Sequence, residues 1–349
     1  VEDQTFALNE NNAATSQEIV AVLGAGSWGT SLAYLASRKG YTTRLWARNA
    51  IAAHDFAHSG ENVRYLPGTQ LPNVEISADL EAVLRDAAWL VIAVPCAAVP
   101  QLAIDLQSYR KLWRPEAILV SGTKGLDPES GSRPAQLWAE HAGWEPHCYA
   151  ALSGPNLAKE IVADVPTSTV VASQSEEAAQ RAQELFSSSV FRVYTNCDLI
   201  GVEMGGALKN IVAIAAGIAD GLGFGDNSKA AMMTRAWREM TRLSVALGAQ
   251  ESTLYGMSGM GDLIATCMSP HSRNHRLGRY LAQGETLKEA QHEIAQVSEG
   301  VHTTRAALRL AEKIGVELPV TQQLAKVLFE GQDPRYAVNE LMNRNWRGE

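Results

Sequence analysis

Five apolar residues, Ile19-Val20-Ala21-Val22-Leu23, run directly into Gly24-Ala25-Gly26-Ser27-Trp28-Gly29 and then into the small-residue stretch Thr30-Ser31-Leu32-Ala33. The run predicts a buried strand, the glycines a tight turn, and the residues after them a helix lying close to that strand. Gly24 permits the turn, Gly26 removes the Cβ that would hold the backbone away from an anion, and Gly29 lets helix and strand approach. Unpaired backbone N–H groups at the start of that helix attract negative charge. Strand, glycine turn and helix in this order predict a seat for the pyrophosphate of a dinucleotide. The alternative is a tight turn that binds nothing.

A second strand is expected over 42–47. An Asp or Glu at its end would hold the ribose 2′-hydroxyl of NAD. The chain has Arg48-Asn49 instead. A guanidinium there can grip a 2′-phosphate through paired hydrogen bonds, so NADP(H) is expected to be accepted beside NAD(H). Otherwise Arg48 is a solvated strand end, or stacks on adenine.

At 349 residues the chain is long enough for two domains. A formal net charge of −8 argues against a general nucleic-acid binder. The first basic residue is Arg38, which leaves no charged leader region ahead of an apolar run. Residues 1–17 are polar and acidic and are expected to form a flexible tail. The most apolar runs, 87–100 and 211–219, are too short to span a bilayer. Cys96, Cys148, Cys197 and Cys267 are scattered without metal-ligand spacing and fit a reducing compartment. A cytoplasmic protein without a metal site is the expectation.

Strand-like runs continue at 89–94, 117–120, 148–152, 169–172 and 191–194, with helical stretches between several of them. Such alternation predicts a parallel sheet covered on both faces. Beyond 199 the periodicity is helical throughout, over 199–220, 229–247, 272–283, 286–295, 303–314 and 321–330. The expected fold class is therefore α/β: an N-terminal Rossmann-type, doubly wound parallel sheet over 18–200, plus an all-helical C-terminal domain over 201–349. The active cleft of such a fold lies at the carboxyl ends of the strands.

Several side chains converge on that cleft by order along the chain. Lys124 sits in Ser121-Gly122-Thr123-Lys124-Gly125 after a strand, where it either reaches a phosphate or carbonyl oxygen or is a surface lysine. Ser153-Gly154-Pro155-Asn156 opens a short helix at Ala158. Lys209 is flanked on its helix by Gly205, Gly206, Val212 and Ala213. On so small and apolar a face an ammonium is either paired with a carboxylate, reaches the surface, or is aimed into a cleft. Burial would lower its pKa, which suits proton exchange with a substrate hydroxyl. Asp262 follows Gly256-Met257-Ser258-Gly259-Met260-Gly261 and is a helix cap or a site residue. Ser272-Arg273-Asn274 is a candidate phosphate clamp, and Glu299 in Val297-Ser298-Glu299-Gly300 a candidate for a ribose or amide contact. No Ser-His-Asp set, metal pattern or Walker motif occurs, which leaves the chemistry to a nicotinamide ring.

Taken in order, Gly24-Ala25-Gly26-Ser27-Trp28-Gly29-Thr30, Thr123-Lys124-Gly125-Leu126, Ser153-Gly154-Pro155, Gly205-Gly206-Ala207-Leu208-Lys209-Asn210, Gly259-Met260-Gly261-Asp262-Leu263 and Ser272-Arg273-Asn274 resemble the bacterial-type NAD(P)-dependent glycerol-3-phosphate dehydrogenases. The resemblance runs from about residue 19 to 337. It implies reversible reduction of dihydroxyacetone phosphate to sn-glycerol 3-phosphate, a precursor of phospholipids, by a homodimer. It also implies cofactor contacts from Ser27, Trp28, Arg48, Lys124, Ala158, Arg273, Val297 and Glu299. Substrate contacts are implied for Lys124, Gly154, Asn156, Lys209, Asp262, Ser272, Arg273 and Asn274, with Lys209 the proton-transferring residue. Asn156-Leu157 and Ser298 depart from the family pattern. A ketopantoate reductase or β-hydroxyacid dehydrogenase, or a redox sensor without turnover, are the competing readings.

Overall fold

A computed structural model describes residues 18–294 and 298–343, so the expected tail at 1–17 and Val297 lie outside the described residues. Eight strands, β1 (Ile19–Leu23), β2 (Thr42–Trp46), β3 (Val74–Ser77), β4 (Ala87–Ile92), β5 (Ile118–Ser121), β6 (Tyr149–Ser153), β7 (Thr167–Ala172) and β8 (Phe191–Asn196), form one sheet. Their order is β3-β2-β1-β4-β5-β6-β7-β8. Helices α1 (Ser27–Arg38), α2 (Ala50–Ser59), α3 (Leu80–Leu84), α4 (Val99–Gln107), α5 (Pro134–Ala142), α6 (Ala158–Val162) and α7 (Glu176–Phe186) lie between the strands.

Strand β1 pairs with β2 on one side and β4 on the other, both parallel. The winding therefore reverses at β1, which opens a crevice beyond its carboxyl end. Alternate residues of the central strands feed two cores: Val20, Val22, Trp89 and Val91 on one face, Ala21, Leu23, Leu90 and Ile92 on the other. Burial on both faces is why these segments read as continuous apolar runs.

Two features depart from the sequence expectation. Strands β6 and β7 pair antiparallel, so β7 and β8 run together against the other six. The five residues of α6 span only about 8 Å, less than half the ~17 Å of a five-residue strand, and cannot return the chain to the starting end of the sheet. Strand β3 was not foreseen. It is four residues long, partly exposed and at the sheet edge, so it lacks the apolar run that marks its neighbours.

The chain then becomes helical: α8 (Leu199–Gly221), α9 (Asp226–Ala246), α10 (Glu251–Leu254), a π turn at Met257–Gly261, α11 (Asp262–Met268), α12 (Arg273–Ala282), α13 (Leu287–Ile294), α14 (Glu299–Ile314), α15 (Pro319–Glu330) and α16 (Pro334–Met342). Asp198 caps α8 by accepting the Gly201 amide at 2.8 Å. The first turn of α8 places Leu199 and Val202 in the sheet core, and from Met204 onward the helix fills the helical core. At 23 residues α8 is long and apolar enough to cross a membrane by composition, which corrects the shorter run read from sequence. Its most apolar stretch is 89% buried within the protein, which makes it a core helix.

Candidate active site

The glycine turn has the geometry its sequence implies. Gly24 has φ +116°, and a Cβ on it would lie 2.6 Å from the Ala93 carbonyl oxygen. A Cβ on Gly29 would overlap the Gly24 carbonyl. Around Gly26, by contrast, nothing lies within 4 Å of where a Cβ would be, and no side chain caps the start of α1. Two glycines are thus required by packing and the third borders open space beside free helix amides. That combination fits a pyrophosphate. The turn is braced by Asn62, whose amide donates to the Ala25 carbonyl at 2.9 Å and to Thr30 Oγ1 at 2.8 Å. Ser27 Oγ donates to the Tyr65 carbonyl at 2.7 Å, so the segment after α2 lies against the mouth of the site. Arg48 follows β2 and is exposed. Ala158 opens α6, with its carbonyl 3.4 Å from Ser31 Oγ of α1.

The loop after β5 links this turn to everything else. The Trp28 indole donates to the Gly122 carbonyl at 3.1 Å, and Thr123 Oγ1 donates to the Val94 carbonyl at 2.9 Å. Lys124 Nζ donates to the Gly154 carbonyl at 2.9 Å and to Asp262 Oδ2 at 2.7 Å. A Cβ on Gly154 would meet the Thr169 backbone at 2.9 Å, so close strand-end packing requires the glycine. Asn156 donates to Thr169 Oγ1 at 2.9 Å, and its Oδ1 is buried without a partner.

Lys209 is 7% exposed on α8. Its Nζ hydrogen-bonds Asp262 Oδ1, and donates to Thr266 Oγ1 at 2.8 Å. Burial pulls its pKa down to about 8, the Lys124 charge adds to that fall, and Asp262 opposes it. The small neighbours make the approach possible. A Cβ on Gly206 would sit 2.5 Å from Ser153 Oγ, and one on Gly205 would sit 2.8 Å from the Ser258 carbonyl.

A third group gathers at the start of α12 and α14. Ser272 caps α12 through the His275 amide at 3.3 Å. The Asn274 amide donates to Asn210 Oδ1 at 2.9 Å and accepts from Gly300 N at 3.1 Å, which joins α8, α12 and α14. Arg273 keeps solvent access within the cleft, yet the surrounding protein lowers its pKa while Glu299 opposes the shift. Burial pushes the Glu299 carboxyl up to about 7, against the nearby Arg273 and a hydrogen bond from the Cys96 backbone. A Cβ on Gly125 would lie 2.9 Å from Glu299 Oε2. Among the described residues no group of three His, Cys, Asp or Glu side chains could hold a metal ion.

The loop at 121–125 and the carboxylate of Asp262 therefore bring Trp28, Lys124, Gly154, Lys209 and Glu299 to one crevice. Thr266 and Asn62 were missed from sequence. Thr266 lies one helical turn after Asp262 on α11, a spacing that places both on one face. Asn62 carries no local signal, because its partners are distant in the chain.

The family model described as the NAD-dependent glycerol-3-phosphate dehydrogenase N-terminus matches residues 19–179, and that of the C-terminus matches 198–339. A glycerol-3-phosphate dehydrogenase [NAD(P)+] of Pelotomaculum thermopropionicum is 49% identical over 328 residues, covering 93% of each chain. The chain belongs to the NAD-dependent glycerol-3-phosphate dehydrogenase family. A glycerol-3-phosphate dehydrogenase [NAD(P)+] of Carboxydothermus hydrogenoformans is 47% identical, over 93% of this chain and 96% of the relative. The crystal structure of glycerol-3-phosphate dehydrogenase from Coxiella burnetii superposes with a TM-score of 0.89 at 39% identity, covering 94% of this chain and 99% of that one. A ketopantoate reductase from Ralstonia eutropha shares only the fold, at 14% identity and a TM-score of 0.58.

Proposed function

We infer that this NAD(P)-dependent glycerol-3-phosphate dehydrogenase reduces dihydroxyacetone phosphate reversibly to sn-glycerol 3-phosphate, feeding glycerophospholipid synthesis, with Lys209 as its proton-transferring residue. The observation that carries the assignment is the buried Lys209 ammonium held by Asp262 and Thr266 beside Lys124. The nicotinamide cofactor, once bound, supplies the hydride. Gly24, Gly26, Ser27, Trp28, Gly29 and Ala158 form the wall on which its pyrophosphate half would rest, with Arg48 at the ribose end. Arg273 and Glu299 border the opposite side of the same crevice, and Val297 is assigned to it by family pattern.

Within the crevice Lys209 holds a proton at Nζ and delivers it to the substrate oxygen as charge develops there. Asp262 fixes the direction of that N–H bond, and Thr266 limits its rotation. Lys124 places a second positive charge near the same oxygen. Arg273, with Ser272 and Asn274 at the start of α12, anchors the phosphate, so that binding of the remote group positions the carbonyl. Asn274 has one N–H left for this after Asn210 is served. Gly154 and Asn156 line the opposite wall.

The cysteines, all free thiols, support a reducing cytoplasmic setting. A homodimer is the assembly proposed from the family. Mixing the protein with NADPH and dihydroxyacetone phosphate should consume nicotinamide absorbance. Oxidation with ketopantoate but not with the triose phosphate, or cofactor binding with no turnover on either ketone, would overturn the assignment.

A further inference from the structure

A separate cleft lies against the turn that leads into Asp262. About 250 Å³ in volume, it opens between the end of β8 and the π turn, with Tyr194, Thr195, Asn196, Gln250, Ser252 and Met257 among its walls. None of the side chains lining it is charged. The substrate of the proposed reaction is a phosphate ester, and a lining without a charged side chain is poorly matched to it. What the walls do present is hydroxyl and carboxamide groups, together with the ring of Tyr194, which is 40% exposed. Asn196 Oδ1 already accepts from the Asp198 amide at 2.8 Å, while its side-chain NH₂ reaches Thr253 Oγ1 only at 3.5 Å, so it is donor capacity that remains there. One face of that ring carries the Arg192 guanidinium at 5.0 Å, outside the lining itself, and neutral donors and acceptors clustered beside an aromatic ring suit a molecule with many hydroxyls on a carbon chain. The cleft is open to solvent on one side and is on the scale of a small polyol.

The floor of this cavity is the π turn itself, through Gly256, Met257 and Ser258. Its other side is pinned. The Ser258 carbonyl lies 2.8 Å from where a Cβ of Gly205 would be, one turn before Lys209 on α8, and a Cβ on Gly259 would overlap the Leu254 carbonyl. The turn has no slack between α10 and α8, and it leads directly into Asp262. π turns interrupt the regular helical ladder and recur at functional sites.

We propose that the cleft between β8 and the π turn is a binding site for an uncharged polyol or sugar, whose occupancy sets the position of Asp262. The binding half stands on the cavity alone; the coupling half rests on the role given above to Asp262.

The test uses sorbitol as probe on the full chain, with binding followed by saturation-transfer NMR and initial rates measured in parallel. Polyethylene glycol at matched viscosity serves as the control. Saturable sorbitol binding is expected, together with a change in kcat at unchanged KM for the triose phosphate. Ser252→Trp and Thr195→Trp, both at exposed rim positions, should each weaken binding by about tenfold or more while leaving the basal rate intact. Absence of saturable binding, binding indifferent to both substitutions, or competition with the triose phosphate would overturn the site. Saturable, variant-sensitive binding with kcat matching the polyethylene glycol control would overturn the coupling. A protein inactive on the triose phosphate but still binding sorbitol at this cleft would locate the failure in the catalytic assignment.

Discussion

Lys124 and Lys209 meet at one carboxylate from two separate parts of the fold: Lys124, after β5, donates to Asp262 Oδ2 at 2.7 Å, while Lys209, on α8, holds Oδ1. One negative charge is thus shared by two ammonium groups, in a place where water screens neither fully. Burial pulls the Lys209 pKa down to about 8, with the Lys124 charge adding to the fall and Asp262 opposing it.

That value fixes the expected pH profile. Ketone reduction needs the protonated amine, so its kcat/KM should be level below about pH 8 and fall above it. Alcohol oxidation needs the neutral amine and should rise through the same region. Lys209→Met should lower kcat by on the order of 10²–10⁴-fold, with a much smaller change in KM, and should abolish the step. Steady-state kinetics in both directions across pH checks this, and near-parental turnover by the variant would refute the role.

Gly24→Ala and Gly26→Ala should separate folding from binding. The first forces a Cβ to within 2.6 Å of the Ala93 carbonyl at a residue with φ +116°, and should destabilise the protein by about 2 kcal/mol or more. The second meets no atom within 4 Å and should change stability by about 1 kcal/mol or less. Its cofactor affinity should nevertheless fall by about tenfold or more, because the methyl group enters the space left for the phosphates. Denaturant melts and cofactor titrations on both variants supply the comparison.

Arg48→Ala should weaken NADPH binding while leaving NADH nearly unchanged. An exposed guanidinium gripping a 2′-phosphate contributes roughly 1.5–3 kcal/mol, so a ten- to hundredfold loss is expected. Parallel fluorescence titrations with the two cofactors decide it: equal losses would make Arg48 an adenine-stacking residue, and no loss a solvated one.

Glu239, 4% exposed on α9, accepts from the backbone amides of Val320 and Thr321 at the start of α15. Burial raises its pKa from 4.5 to about 7, outweighing those hydrogen bonds. The folded form therefore holds the proton more tightly than the unfolded chain. Its stabilising contribution is complete below about pH 4.5 and is lost as pH rises through about 7. Glu239→Gln keeps an acceptor oxygen but cannot titrate. Between about pH 5 and about pH 8 the parent should lose on the order of 2–3 kcal/mol more than this variant, read from melts at each pH.

The glycine turn, the helical second half and the lysine at 209 were legible because each rests on a local pattern: a run of apolar residues, a period of 3.6, a charge among small neighbours. The reversal of β7 and β8 was not, because strand direction depends on how far the intervening α6 reaches, and a run such as 169–172 reads alike in either direction. Strand β3 escaped notice because an edge position gives it little apolar surface to bury. At the site, the sequence offered Asp262 as a cap or a ligand. Only the fold shows that its carboxylate spans the two lysines, since those residues are far apart in the chain.

Helix α8 begins among the side chains beneath the sheet and continues without a break into the second core, carrying Lys209 along its length. The amine is therefore surveyed from the same rigid beam that roots the nucleotide half of the enzyme. Any breathing of the crevice would then fall to the parts that face it, namely the beginnings of α12 and α14. On the proposed roles, turnover would pair a stationary proton donor with a moving phosphate anchor.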